Sequence, residues 1–221
     1  MKQTHLFSEQ NGHIGTDESG KGDYFGPLVV AGVYLPDDQK NVLLELGVKD
    51  SKRVTDNRAQ KLSALIREGY THSLVVIGPE KYNELYAKFK NLNKLLAWAH
   101  SRAIENILEE VPCFLAITDQ FGDERFVINA LMTKGKNIEL IQKHKAEEDM
   151  AVAAASILAR AEFLRRMHLL SQEFGTDIPK GSSARSEEVG VELVKTHGPE
   201  ILNKVAKKHF KLTHRIFDAL G

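Results

Sequence analysis

Two adjacent acidic residues stand just before a glycine-rich stretch near the start of the chain. Asp17 and Glu18 are followed by Gly20-Lys21-Gly22. Hard divalent cations prefer carboxylate oxygens, and glycines let a backbone come close to a sugar or a phosphate. Neighbouring residues of a strand point to opposite faces, so both acids can serve one site only where their strand ends or distorts. The pattern favours a metal site beside a phosphate-contacting turn over an acidic pair that is simply solvated.

The same stretch begins like the phosphate-binding loop of nucleotide hydrolases. Gly15-x-x-x-x-Gly20-Lys21 matches the start of that motif, but Gly22 stands where the motif requires Ser or Thr to hold magnesium. Asp17 and Glu18 would also lie inside the loop and repel a triphosphate. We therefore expect no nucleotide cofactor.

Further acids lie beside two other apolar segments. Asp119 follows the apolar run 113–117, and Glu147 and Glu148 precede the apolar segment 151–160. Taken alone, such acids are often helix caps or favour the positive N-terminal end of a helix. Taken with the first pair, they could hold two magnesium ions about 3.5–4 Å apart, which activate a water and stabilise the leaving oxygen in phosphodiester hydrolysis. The sequence leaves open whether the acids converge.

The elements that must position these acids alternate between strands and helices. A strand at 13–16 enters Asp17, and a Val-rich run at 27–35 is predicted to return antiparallel beside it. Helical periodicity covers 56–68 and 93–110, and further strand-like runs lie at 73–77, 113–117 and 138–141. An all-apolar helix at 151–160 is expected to be buried, and two later helices are predicted at 187–195 and 201–212. This order predicts an α/β domain with a mixed sheet and a helical C-terminal lobe.

Length and composition restrict the class of protein. The 221 residues suffice for one sizeable core, and 30 Lys and Arg balance 30 Asp and Glu. Such a chain does not coat nucleic acid indiscriminately, so an anionic partner must meet a local patch. The single cysteine, Cys113, excludes an internal disulfide framework, and no apolar run approaches the length of a membrane span. We expect a cytoplasmic monomer without membrane contact.

Five motifs, in this order along the chain, together resemble those of ribonuclease HIII. Their combination is much more specific than any single motif, and it extends from about residue 13 to residue 215. Ribonuclease HII shares the acidic pair and the glycine turn, whereas the Asp-Tyr-Phe-Gly-Pro and Asp-Gln-Phe segments resemble type HIII. The motifs are Asp17-Glu-Ser-Gly-Lys-Gly-Asp-Tyr-Phe-Gly-Pro27, Gly47-Val-Lys-Asp-Ser-Lys52, Thr118-Asp-Gln-Phe121, Lys145-Ala-Glu147 with the segment 151–160, and Pro179-Lys-Gly-Ser182.

The resemblance implies a ribonuclease H-like α/β fold with a mixed five-stranded sheet, flanking helices and a helical C-terminal extension. It also implies an endoribonuclease that cleaves the RNA strand of RNA/DNA hybrids and leaves 5′-phosphate and 3′-hydroxyl ends. Mg²⁺ would be the working metal, with Mn²⁺ as a substitute. The carboxylates that carry over as catalytic metal ligands are Asp17, Glu18, Asp119 and Glu147. The segment from 147 to 156 is about one residue shorter than the family pattern, so Glu148 stays an alternative to Glu147.

The resemblance further implies how the substrate is held. The backbone of Gly20-Lys21-Gly22 would contact the RNA strand at its 2′-hydroxyl groups, and Lys21 would contact a phosphate. Lys52 and Lys180 would either contact the sugar-phosphate backbone or be ordinary surface lysines. Apart from the resemblance, the run of charges in the predicted C-terminal helix would either add affinity or form a solvated face; its cations are Lys204, Lys207, Lys208, Lys211 and Arg215.

The domain organisation expected from the sequence is simple. Residues 1–12 would be a polar lead, and residues 13–221 one catalytic domain whose helical C-terminal region starts at about 176. Enzymes of type HIII typically carry an additional N-terminal substrate-binding domain, for which about a dozen residues leave no room. Two other functions stay open: ribonuclease HII-like incision at single ribonucleotides embedded in duplex DNA, and a non-catalytic hybrid-binding module.

Overall fold

The computed structural model of the chain describes residues 12–48, 54–120, 124–131 and 134–221. The strands are β1 (Gly12–Ser19), β2 (Leu28–Pro36), β3 (His72–Ile77), β4 (Leu115–Asp119) and β5 (Glu139–Lys143). The helices are α1 (Lys40–Glu45), α2 (Asp56–Gly69), α3 (Pro79–Phe89), α4 (Leu92–Glu110), α5 (Glu124–Ala130), α6 (Met150–Phe174), α7 (Ala184–His197), α8 (Ile201–Val205) and α9 (Leu212–Asp218).

The five strands form one mixed sheet in the order β3-β2-β1-β4-β5. β2 is antiparallel to both β1 and β3, while β4 is parallel to both β1 and β5. The structure therefore confirms the predicted mixed sheet and the antiparallel return of the Val-rich strand. β1 and β4 end at the same edge of the sheet because they run parallel.

Both faces of the sheet are covered, which is why β2 is apolar along its whole length. Val29, Ala31 and Val33 belong to the core beneath α6, while Leu28 and Val30 belong to the core beneath α4. Asp149 caps the N-terminus of α6: its carboxylate accepts hydrogen bonds from the backbone amides of Ala151 and Val152. The predicted burial of its apolar segment is confirmed.

α6 approaches β1 so closely that one position must be glycine. A Cβ atom placed on Gly15 would lie 2.2 Å from both the carbonyl carbon of Ala151 and the amide nitrogen of Val152. The helix runs on for more than three turns beyond the predicted segment, to Phe174, and ends at Gly175 in the left-handed conformation. Its extension is amphipathic: Phe163 and Met167 are buried, so only this face continues the core.

The predicted basic helix at 201–212 is wrong. α8 ends at Val205, Ala206 is extended, and a separate helix begins at Leu212. The break is explained by tertiary pairing, because Phe25 and Ala206 form an antiparallel β-bridge. Lys207 is completely buried, so it is not part of a basic surface. Lys204, Lys208 and Lys211 consequently do not share one helical face.

Helix α3 was not predicted from the sequence. Proline at its first position suits a helix start, and Tyr82 anchors the helix in the core. Within the described ranges, none of the helices combines the length and the apolar character needed to cross a bilayer.

Candidate active site

Asp17 and Glu18 lie at the end of β1 and point to opposite faces of the sheet. Ser156 of α6 lies close enough to Asp17 to lower the pKa of its carboxyl group. Glu18 accepts a hydrogen bond from Nε2 of His100 in α4, with 3.2 Å between Nε2 and Oε2. The alternation expected for a strand is therefore kept, and the two carboxylates flank the strand end rather than standing side by side.

Asp119 ends the neighbouring strand in an equivalent position. The parallel pairing of β1 with β4 ends at Thr16 and Thr118, and Asp17 and Asp119 are the next residues of the two strands. Thr16 and Thr118 both contact His100 of α4, so they lie on the face of the sheet that α4 covers. Because side chains alternate along a strand, Asp17 and Asp119 lie on the opposite face, which α6 covers. The sheet register thus brings together two acids that are about a hundred residues apart.

The third acidic segment forms a 3-10 helix, Ala146–Glu148, directly before α6. The backbone amide of Ala146 donates a hydrogen bond to Oδ1 of Asp119 at 3.3 Å, so this short helix lies against the end of β4. Glu147 is half-buried, whereas Glu148 is exposed. Asp149 is occupied elsewhere, since it caps α6 and pairs with His13 at 2.9 Å.

The electrostatic environments of Asp17 and Glu18 differ. Burial, and then the charge of Glu18, raise the pKa of Asp17 to about 7, although hydrogen bonds from Ser156 and the Glu18 amide act in the opposite direction. Burial alone would also raise the pKa of Glu18, but the hydrogen bond and charge of His100, together with Lys21, lower it to about 2. Glu18 is therefore held as a carboxylate, while Asp17 has no comparable cationic partner among the residues that the structure describes.

The donor chemistry at this edge fits a hard divalent cation. Asp17 and Asp119 offer carboxylate oxygens on one face, beside the 3-10 helix that contains Glu147, and a cation there would relieve the unfavourable charge on Asp17. With the side chains as they stand, no three His, Cys, Asp or Glu residues in the described part of the chain form a ready metal-binding group. The acids thus share an edge of the sheet without forming a closed cage.

His100 and Ser156 were missed by the sequence analysis. His100 is fully buried; besides Glu18, its Nδ1 lies 2.8 Å from Oγ1 of Thr16. In the sequence, His100 is a titratable residue on the otherwise apolar face of a predicted helix. Such a histidine is more often a hydrogen-bonded core residue than part of a functional site. Ser156 lies within the apolar segment 151–160 and gave no separate signal, because its proximity to Asp17 depends on how α6 crosses β1.

The glycine turn follows β1 directly and has a rigid base and an open tip. Gly20 has φ +86°, and a Cβ atom there would lie 2.2 Å from the carbonyl oxygen of Pro27, so only glycine fits. Gly22, at the tip, is exposed, and no atom of the described residues lies within 4 Å of its Cβ position. Nζ of Lys21 lies 3.3 Å from Oε1 of Glu18, which places this lysine at the acidic site.

The Pro179-Lys-Gly-Ser182 motif lies against this turn. Gly181 accepts a hydrogen bond from the amide of Tyr24 at 2.9 Å and donates one to Oδ1 of Asp23 at 2.6 Å. Lys180 is about half exposed and pairs with Asp56 at 2.9 Å. Lys52, the remaining predicted contact residue, lies outside the described residues.

Comparison with known proteins gives one consistent family. The model of the family Ribonuclease HII matches residues 14–213. Ribonuclease HIII of Protochlamydia amoebophila is 46% identical over 209 residues, which cover 95% of this chain and 69% of that protein. Ribonuclease HIII of Chlamydia felis is 45% identical over 209 residues, covering 93% of this chain and 70% of that protein. The chain thus spans about 70% of the length of these relatives.

Solved structures show the same likeness in three dimensions. The crystal structure of Bst RNase HIII in complex with Mn²⁺ superposes with a TM-score of 0.88 at 32% identity, covering 95% of this chain and 70% of that chain. The ribonuclease H2 of Pyrococcus horikoshii superposes with a TM-score of 0.80 over 94% of this chain and 98% of that chain. At 24% identity, this second likeness shows the fold alone.

Proposed function

The chain belongs to the ribonuclease HII family, and we propose that it holds its divalent metal with Asp17, Glu18, Asp119 and Glu147. The chain is a metal-dependent endoribonuclease of RNA/DNA hybrids, as its ribonuclease HIII relatives indicate. The observation that carries the assignment of Asp17 and Asp119 is the sheet register. It sets Asp17 and Asp119 at neighbouring strand ends on one face, beside the 3-10 helix that contains Glu147.

We expect Mg²⁺ as the working metal, with Mn²⁺ as a substitute. Divalent ions held by such carboxylates lower the pKa of a bound water and stabilise negative charge on the phosphate and on the leaving oxygen. Cleavage would then leave 5′-phosphate and 3′-hydroxyl ends. No side chain needs to act as a covalent nucleophile.

The protein's own contribution is to hold the acids in place. His100 fixes Glu18 through its Nε2 and is itself held by Thr16, so the carboxylate is kept ionised and oriented. The amide of Ala146 orients Asp119 in the same way. Lys21, in contact with Glu18, extends the site towards the phosphates of the substrate.

Recognition of the hybrid is assigned to the glycine turn. Its exposed tip can bring backbone groups against the 2′-hydroxyl groups that distinguish RNA from DNA. Lys180 stands beside this turn and would contact the sugar-phosphate backbone, as would Lys52. We assign residues 13–221 to one catalytic domain, because the helices after about 176 contribute to the core beneath α6.

Cleavage of an end-labelled RNA/DNA hybrid tests this proposal. We expect cuts at several positions within the hybrid in Mg²⁺ and in Mn²⁺, and none in EDTA. Asp17→Asn is expected to lower the rate at least about 100-fold, since metal-assisted stabilisation is worth several kcal/mol. An Asp17→Asn variant that cuts at the wild-type rate would contradict the assignment of this ligand.

A duplex with one embedded ribonucleotide belongs in the same assay, because the matching family model is that of ribonuclease HII. We expect this duplex to be spared. Cutting of that duplex alone would assign the chain to single-ribonucleotide incision instead. Hybrid binding without cutting of either substrate would indicate a binding module.

Size-exclusion chromatography tests the expected monomer, and cell fractionation tests the expected cytoplasmic location.

A further inference from the structure

Lys207 is a lysine without any exposed surface, and its ammonium group lies under the glycine turn. Its Nζ is 3.2 Å from the carbonyl oxygen of Phe25, 2.7 Å from that of Gly26 and 3.4 Å from that of Pro27. An ammonium group has three hydrogens to donate, and here three consecutive backbone carbonyls surround it. The side chain thus satisfies the carbonyl groups of the three residues that directly precede β2.

The backbone around Lys207 reinforces this contact. The amide of Lys207 donates to the carbonyl of Tyr24 at 2.8 Å, and the amide of Gly26 donates to the carbonyl of Val205 at 2.9 Å. These bonds flank the bridge between Phe25 and Ala206. The short extended segment after α8 is therefore hydrogen-bonded to residues 24–26, which connect the glycine turn to β2. We call residues 24–27 the base of the turn.

The backbone at the base of the turn has little freedom to move. Gly26 has φ +76°, and a Cβ atom there would lie 2.3 Å from Sδ of Met167. The carbonyls held by Lys207 thus belong to a backbone that is already pressed against α6. The tip at Lys21 and Gly22 is linked to this base through Asp23, whose amide donates to the carbonyl of Gly20 at 3.4 Å and whose carboxylate accepts from the amide of Gly181. A displacement of the base would therefore be transmitted to the tip.

A direct contact between Lys207 and a phosphate is excluded by its burial. Burial lowers the pKa of Lys207 to about 7, and the charge of Asp23 acts in the opposite direction. The ring of Tyr82 also lies near the ammonium group, with 5.8 Å from Nζ to its centroid. The three carbonyls and the ring of Tyr82 therefore hold the amino group inside the protein rather than presenting it to solvent.

We propose that Lys207 is a positioning residue for the glycine turn, and that it thereby sets the preference of the enzyme for RNA/DNA hybrid over DNA duplex. The proposal rests on the proposed role of the turn in contacting the RNA strand. It replaces the sequence-based interpretation of Lys207 as one cation of a basic surface. The residue acts through the backbone of the turn and does not touch the substrate.

The test compares Lys207→Gln with Lys208→Gln. Lys208 is the exposed neighbour, so it serves as a matched control for the loss of one positive charge. The dissociation constants of a hybrid and of a DNA duplex of the same sequence are measured in EDTA by fluorescence anisotropy. We expect Lys207→Gln to lower the ratio of the two affinities about tenfold, while Lys208→Gln leaves the ratio unchanged.

A double-mutant cycle separates positioning from general destabilisation. If Lys207 acts through the turn, Lys21→Met should lower hybrid affinity in the wild type but much less in the Lys207→Gln background. Additive effects of the two substitutions, or an unchanged affinity ratio in Lys207→Gln, would overturn the proposal. A wild-type protein without any preference for the hybrid would instead contradict the proposed role of the turn itself.

Lys207→Arg keeps the inference testable if Lys207→Gln does not fold. The larger guanidinium cannot occupy the fully buried site unless the three carbonyls move. We therefore expect this variant, which keeps the positive charge, to lose the hybrid preference as well. A folded Lys207→Arg protein with the wild-type affinity ratio would refute positioning by Lys207. Thermal unfolding followed by circular dichroism establishes which variants are folded at the assay temperature.

Discussion

Glu147 and Glu148 are adjacent in one short helix, yet their surroundings differ. Glu147 is half-buried beside the end of β4, and Glu148 is exposed. We predict that Glu147→Gln lowers the rate of hybrid cleavage at least about 100-fold, because it removes a metal-binding oxygen. The matched variant Glu148→Gln should stay within about twofold of the wild type. Single-turnover cleavage in Mg²⁺ measures both rates.

The reverse result would assign the fourth carboxylate to Glu148. If both variants cleave normally, the fourth carboxylate must come from another segment. The next acid in the chain after Asp119 is Asp123, which lies outside the described residues. Asp123→Asn would then be the variant to measure.

His100 is expected to act through Glu18 rather than on the substrate. Because its Nε2 donates to Oε2 of Glu18, His100→Gln should weaken the orientation of that carboxylate and lower metal affinity or activity by about 10–100-fold. The concentration of Mg²⁺ needed for half-maximal cleavage is the measurement that separates this role from a loss of substrate binding.

His168→Gln is a suitable control because His168 lies on the exposed side of α6. It should leave both the cleavage rate and the Mg²⁺ requirement unchanged. If His100→Gln raises only the Michaelis constant for the hybrid, with the Mg²⁺ requirement unaltered, the positioning of Glu18 by His100 is wrong.

Among the elements, the contact between β1 and α6 is the one that fixes the site. Gly15 permits this contact, since a Cβ atom would meet the backbone of α6 at 2.2 Å. We predict that Gly15→Ala destabilises the protein by about 1–3 kcal/mol, because the helix must move away from the strand. Denaturant unfolding measures the change, and cleavage should fall as well, since Asp17 and Ser156 would separate.

Gly69→Ala provides the matched control for this substitution. Gly69 ends α2, and within the described part of the chain no atom lies within 4 Å of its Cβ position. Alanine is a better helix residue than glycine, so this variant should be neutral or slightly more stable. Equal destabilisation by both substitutions would show that the close approach at Gly15 is not the cause.

The stability of the whole molecule should depend on pH through Glu162. This carboxylate is almost fully buried and accepts hydrogen bonds from Arg165 and Arg166, with Arg67 of α2 nearby. Hydrogen bonds from Arg165 and Arg166, against the effect of burial, lower the pKa of Glu162 from 4.5 to about 2. Because the folded pKa lies below the unfolded one, this stabilisation is complete above about pH 4.5 and is lost as the pH falls towards 2.

Thermal unfolding of Glu162→Gln tests this dependence. The variant should melt below the wild type at pH 7, and the difference should shrink as the pH approaches 2. Glu188→Gln is the control, because Glu188 pairs with Arg185 in solvent, where an ion pair contributes little. A constant difference between wild type and Glu162→Gln from pH 7 to pH 2 would contradict the assigned ion-pair network.

The sequence by itself determined what local patterns can specify. The alternation of strands and helices, the antiparallel return of β2 and the burial of α6 follow from hydrophobic periodicity, and all are confirmed. The acids and the glycine turn were identified because adjacent acids beside a glycine-rich turn have few roles other than metal and phosphate binding. The resemblance to the family rests on the same short motifs, and the matches to ribonucleases HIII bear it out.

Tertiary structure decided the rest, because it depends on contacts between residues distant in sequence. The pairing of β1 with β4 brings Asp17 and Asp119 together, and no local pattern encodes that register. His100 and Lys207 are ordinary polar residues in the sequence, and only packing turns one towards Glu18 and buries the other under the turn. The segment 201–212 has helical character, but residues 205–207 pair with residues 24–26 because buried backbone groups must be hydrogen-bonded.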